Sequence, residues 1–134
     1  MKIFISIDLE GITGVCKEEQ TDPAGAEYAS ACAAMRADLD AALDGCFAAG
    51  ATGVVVCDGH AAGRNLRVTG LPDRVALVSW SPWSLDMMTG IDESFDAALL
   101  LGYHARAGVA AAVLEHTCAY KVFSVTMGGR EVGE

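Results

Sequence analysis

Three short stretches, residues 2–8 (KIFISID), 52–58 (TGVVVCD) and 95–103 (FDAALLLGY), are almost wholly apolar and lack the alternation of a strand with one wet face. Runs of this length read as strands of a parallel sheet covered on both faces, where few positions are left for polar side chains. Between the first two lies Asp22-Pro23, a helix cap with proline in the first turn, followed by an alanine-rich stretch. In it Tyr28, Cys32, Met35, Leu39, Leu43 and Cys46 recur every three or four residues, and Gly50 ends the pattern. Strand, helix and strand then form one right-handed parallel unit. Residues 75–80 read as a further strand, 84–88 as a short helix, and 122–127 as an extended run before the Gly128-Gly129 turn. The expected fold class is α/β, a mostly parallel sheet flanked by helices. With 134 residues and no repeat or linker, residues 1–134 form one domain with one core.

In open α/β sheets, ligands gather outside the carboxyl ends of the strands, where the loops converge. Metal-ligating residue types follow all three runs: Asp8 and Glu10 the first, Asp58 and His60 the second, His104 the third. All three histidines of the chain, His60, His104 and His116, fall in loops after apolar runs. Singly, each has a plainer explanation. A D-x-E after a strand is more often a loop cap, and a lone histidine is more often a hydrogen-bonded turn residue. Together they predict a metal centre at the carboxyl ends of the strands, since a soluble core gains nothing from collecting acids and imidazoles in one crevice. A ligating histidine usually donates its second N–H to an acid or carbonyl. Asp58 and Asn65 are the local candidates beside His60, with a turn aspartate and a loop asparagine as the equal alternative. Arg106 is a candidate for holding a substrate carboxylate, although an exposed structural arginine is the commoner outcome.

The balance of 9 Lys+Arg against 18 Asp+Glu gives a formal charge of −9, which repels phosphate backbones and anionic membranes and argues against nucleic acid as a partner. The five cysteines, Cys16, Cys32, Cys46, Cys57 and Cys118, form no CxxC pair and read as reduced core thiols. No apolar stretch approaches a membrane span and no basic leader opens the chain, so a soluble cytoplasmic protein is expected. The chain stops at Glu134 directly after a turn, without a closing element, as a fragment of a longer architecture would.

The segments IDLEGITG (7–14), VCDGHAAGRNL (56–66), GIDESFDAALLLGYHARAG (90–108), EHT (115–117) and GREVGE (129–134) closely resemble the zinc-dependent D-aminopeptidases of the M55 metallopeptidase family, in order along nearly the whole chain. The resemblance implies two Zn²⁺ per chain: Asp8 as the bridging carboxylate, Glu10, His60 and His104 as terminal ligands, and Glu134 as the glutamate of the V-G-E motif. His116 is similar to the family's catalytic histidine. Hydrolysis of short peptides from the amino end, a preference for N-terminal D-residues of the D-alanine type, and a ring-like homo-oligomer are implied in the same way. The first alternative is a haloacid-dehalogenase-like, magnesium-dependent phosphatase, for which IDLEGIT offers a D-x-D-G-like loop. That chemistry requires a later lysine, where only Lys121 lies far downstream, and gives the three histidines no task. The second alternative is an inactive metal-binding fragment.

Overall fold

A computed structural model describes residues 1–79, 85–119 and 121–133. Its frame is a four-stranded, all-parallel sheet of β1 (Lys2–Ile7), β2 (Gly53–Asp58), β3 (Val75–Val78) and β4 (Ala97–Leu101), in the order β3-β2-β1-β4. The expected α/β class is therefore observed. A four-residue helix α1 (Glu18–Thr21) and the long helix α2 (Tyr28–Ala48) lie between β1 and β2. A 3-10 turn (Asp86–Met88) precedes β4, and a small antiparallel hairpin of β5 (Val125–Met127) and β6 (Arg130–Val132) closes on Gly128-Gly129. The anticipated ends of the third strand at Trp80 and of the short helix at Ser84 lie outside the described residues.

The alternation of side chains along β1 divides the core. Ile3, Ile5 and Ile7, with Val54 and Val56, pack on Ala31, Met35, Leu39 and Leu43 of α2. On the other face, Phe4 meets Phe95 edge to face at 5.4 Å between ring centroids. Buried Ser6 donates its hydroxyl to the Met87 carbonyl at 2.7 Å and lies 2.7 Å from the Tyr103 hydroxyl.

Three expectations change. The long helix begins at Tyr28, because Asp22 terminates α1 and its carboxylate accepts from the Ala24 amide, folding 22–27 into turns. Cys16 and Cys118 are exposed, whereas Cys57 is buried. The β4 strand, expected to be buried, is an edge strand with Leu100 59% exposed. Among the described residues, no helix is long and apolar enough to cross a membrane.

Register does the work that matters for chemistry. β1 pairs with β2 as Ile7↔Asp58 and with β4 as Ile7↔Leu101, so three strands end level. The loops after β1 and β4 then run in backbone contact: the Asp8 amide donates to the Leu101 carbonyl at 2.9 Å, and the Gly11 amide to the Gly102 carbonyl at 2.7 Å. Gly102 has φ +69°, and a β-carbon there would overlap the Asp8 carbonyl oxygen. Gly102→Ala combines strain in the left-handed region with a backbone clash, and should lower stability by about 2 kcal/mol or more, read as a fall in thermal midpoint.

Candidate metal centre

Asp8, Glu10 and His60 are buried at the carboxyl edge of the sheet, and His104 is half-buried beside them. The two oxygens of Asp8 face different imidazoles: Oδ1 lies 3.5 Å from Nδ1 of His60, and Oδ2 lies 3.3 Å from Nε2 of His104. Glu10 Oε2 is 3.0 Å from the same Nδ1 of His60. One potential ligand atom each from Asp8, Glu10 and His104 falls within 4.8 Å of the others.

The second nitrogen of each ring is turned away from the acids. His60 Nε2 donates to the Thr21 carbonyl at 2.8 Å, and His104 Nδ1 donates to the Ala105 carbonyl at 3.0 Å. These bonds select the nitrogens that meet the carboxylates: Nδ1 of His60 and Nε2 of His104. Two carboxylates cannot rest against the lone pair of a neutral imidazole, so Nδ1 of His60 must carry a proton or face a cation. This donor set of carboxylate oxygens and imidazole nitrogens suits a borderline divalent ion such as zinc.

The charges respond accordingly. Burial opposes ionisation of Asp8, but hydrogen bonds with His104, His60 and Glu10 prevail and hold its carboxyl well below the ordinary range. For His60, burial favours the neutral ring, yet the Asp8 and Glu10 carboxylates outweigh it and raise the pKa to about 10. Because this pKa is raised from 6.5, the stabilisation it brings to metal-free protein is complete below pH 6.5 and fades as pH rises through about 10. A divalent ion bound at Nδ1 would displace that proton. Titration of zinc into metal-free protein at pH 8 should release about one proton from His60, measured by calorimetry in two buffers of different ionisation enthalpy.

His116 is brought to the same place by the EHT motif. The Glu115 carboxylate accepts from the Gly108 amide at 2.7 Å, and the buried Thr117 hydroxyl accepts from the Ala107 amide at 3.1 Å. Between these ties, the His116 ring stacks on His104 at 4.0 Å between centroids and 17° between planes. With Asp8, Glu10, Gly59, His60 and Asp86 it lines a cavity of about 240 Å³.

Asp58 and Asn65 support His60 by a different route from the one anticipated. The partner of the His60 ring is Thr21, whereas fully buried Asp58 accepts from the Asn65 amide (2.7 Å), the Asn65 side chain (2.6 Å) and the Leu66 amide (2.8 Å). Asn65 also donates to the His60 carbonyl at 2.8 Å and accepts from the Tyr28 hydroxyl at 2.5 Å. The pair thus holds the backbone of the His60 loop. Burial raises the Asp58 pKa against the pull of these donors, so losing one is costly. Asn65→Ala should destabilise the fold by roughly 1–3 kcal/mol in denaturant melts and weaken zinc binding.

Arg106 pairs with Glu131 of β6 and donates to the Ala107 carbonyl at 2.9 Å, tying the hairpin to the loop after His104. It is not among the residues lining the cavity. Glu134 lies outside the described residues. Thr21, which acts through its backbone carbonyl, carries no sequence signal that marks it as part of the site, and Thr117 is marked only by its place in the EHT motif.

Acids and imidazoles converging at the level ends of a parallel sheet define an α/β domain with a candidate metal centre. The comparisons specify which. The D-aminopeptidase model of peptidase family M55 matches residues 1–134, and the chain belongs to that family. It is 33% identical over 134 residues to a D-aminopeptidase of Bacillus subtilis (strain 168), covering 100% of this chain and 48% of the relative. It is also similar to a solved structure described as the Zn-dependent D-aminopeptidase DppA from Bacillus subtilis, a self-compartmentalizing protease. That match has a TM-score of 0.95 and 32% identity over 99% of this chain and 48% of that one. The chain thus spans about half the length of these relatives. The family assignment displaces the dehalogenase-like phosphatase alternative, and Lys121 does not line the cavity.

Proposed function

We propose that this chain carries the metal centre of a binuclear zinc aminopeptidase that releases N-terminal residues from short peptides, with preference for D-residues of the D-alanine type. The observation that carries this reading is the placement of Asp8, whose two oxygens each face a different imidazole, as a carboxylate shared between two ions requires. Family membership and the names of the relatives support the zinc and the D-aminopeptidase activity. Residues 1–134 act as the N-terminal part of a longer architecture, in a cytoplasmic, ring-like homo-oligomer consistent with the relative's description as self-compartmentalizing.

In this reading Asp8, Glu10, His60 through Nδ1, His104 through Nε2 and Glu134 would hold the zinc, with Asp8 shared. Zinc held there supplies a bound water of lowered pKa and polarises the scissile carbonyl. The protein's own groups do the rest. His116 donates Nδ1–H to the Leu114 carbonyl at 2.9 Å, which makes Nε2 the nitrogen that exchanges a proton. As water adds to the carbonyl carbon, Nε2 of His116 takes up its proton, and it delivers that proton to the departing amine as the C–N bond breaks. Its contact with His104 keeps the ring at the wall of the cavity throughout.

The test is metal analysis of zinc-loaded protein combined with amino-acid release from D-alanyl and L-alanyl dipeptides. About two zinc per chain and faster release from the D-dipeptide are expected, with activity lost on chelation and restored by zinc. Less than one equivalent of metal overturns the two-ion centre, and magnesium-dependent phosphatase activity without peptide cleavage overturns the reading as a whole. His116→Ala should lower kcat by about 10²- to 10⁴-fold with zinc content unchanged; full activity in that variant removes His116 from the reaction.

A further inference from the structure

Three acids line the cavity beside the metal centre: Asp8, Glu10 and Asp86. The first two are engaged with imidazoles. Asp86 is different. Among the described residues no hydrogen bond or ion pair engages its carboxylate, and it does not cap the 3-10 turn that it opens.

The backbone beneath that carboxylate is firmly held. Asp86 has φ +51°, a left-handed conformation that aspartate tolerates better than most residues but still at a cost. Its carbonyl accepts from both the Thr89 amide, at 3.0 Å, and the Thr89 hydroxyl, at 2.8 Å. The neighbouring Met87 carbonyl is pinned by Ser6, a fully buried residue of the central strand, and the Met87 side chain packs against Gly59 in the loop that carries His60. A conformation this unfavourable, fixed from two sides, places an exposed negative charge that no described residue engages at the wall of a cavity that also holds the catalytic groups. Such pre-organisation is what charge recognition requires.

We propose that Asp86 is the specificity residue that binds the free α-ammonium of the peptide substrate; this rests on the aminopeptidase reading above. In an aminopeptidase substrate, that ammonium sits on the carbon next to the scissile carbonyl. Its counter-charge therefore has to line the same small cavity as the metal ligands and His116, as Asp86 does. A cation that close to zinc would be repelled without a carboxylate opposite it. The ammonium–Asp86 pair makes the enzyme an exopeptidase: an acylated or internal peptide offers no cation, and covers the carboxylate without pairing it.

Two measurements on zinc-loaded protein, wild type and Asp86→Asn, test this. Asp86→Asn should raise KM for D-alanyl-D-alanine about tenfold, a difference of about 1.4 kcal/mol, with kcat and zinc content nearly unchanged. Its preference for the free peptide over the N-formylated one should shrink by the same factor. Calorimetry with D-alaninol, which has the ammonium but no scissile bond, should show about tenfold weaker binding to the variant. Equal KM values and equal D-alaninol affinities in the two proteins overturn the role of Asp86 and leave the peptidase reading intact. A wild type that binds D-alaninol through Asp86 yet cleaves no peptide overturns the peptidase reading alone, and one that does neither overturns both.

Discussion

The parallel pairing of β1 with β2 on one side and β4 on the other is the constraint on which the rest of the molecule depends. Ile7 stands level with both Asp58 and Leu101, so the chain leaves the sheet at three adjacent points of equal height. Everything chemical follows from that coincidence. Asp8 emerges from the middle strand, His60 from the loop on one side and His104 from the loop on the other, and the two imidazoles reach opposite oxygens of one carboxylate. A slip of one residue in either pairing would turn each side chain to the other face and separate the set.

Held together in this way, the buried acids and imidazoles form an arrangement that is costly unless every charge is answered. Asp8 and Glu10 have lost much of their hydration, and the imidazoles that replace it are oriented by carbonyls behind them, Thr21 for His60 and Ala105 for His104. The high affinity of His60 for a proton is a measure of how strongly that corner demands positive charge. A divalent ion meets the same demand with more charge in the same space. The outer supports, Asp58 with Asn65 on one loop and Glu115 with Thr117 on another, fix backbone rather than ligand atoms, which keeps the donor atoms converged whatever occupies the centre.

Much of this was legible in the residues. The unalternating run 2–8 identified the central strand, and the recurrence of Met35, Leu39 and Leu43 identified the helix face that covers it. Strand-end placement singled out Asp8, Glu10, His60 and His104. Other features were misread for definable reasons. Asp22-Pro23 has the local chemistry of a helix start, but the Asp22 side chain closes a turn instead, and the helix waits for Tyr28. Cys16 and Cys118 were grouped with the core, though both are exposed in loops and Cys118 lines the cavity. Arg106 was weighed as a substrate contact against a structural arginine, and only the fold shows its pairing with Glu131 on a hairpin 25 positions later.

The sequence by itself determined the elements and the acids and imidazoles at the strand ends, because hydrophobic period and residue chemistry are local properties that survive without a fold. It also carried the family, since the motifs lie in one order along the chain. Tertiary structure alone decided which nitrogen of each histidine faces the acids, since that choice depends on a backbone carbonyl 39 residues away in one case and on loop geometry in the other. It alone placed Asp86 at the cavity wall, through a hydroxyl of β1 holding the turn that follows it 80 residues later. Contacts of that range are set by the packing of the whole sheet, and no short stretch of sequence encodes them.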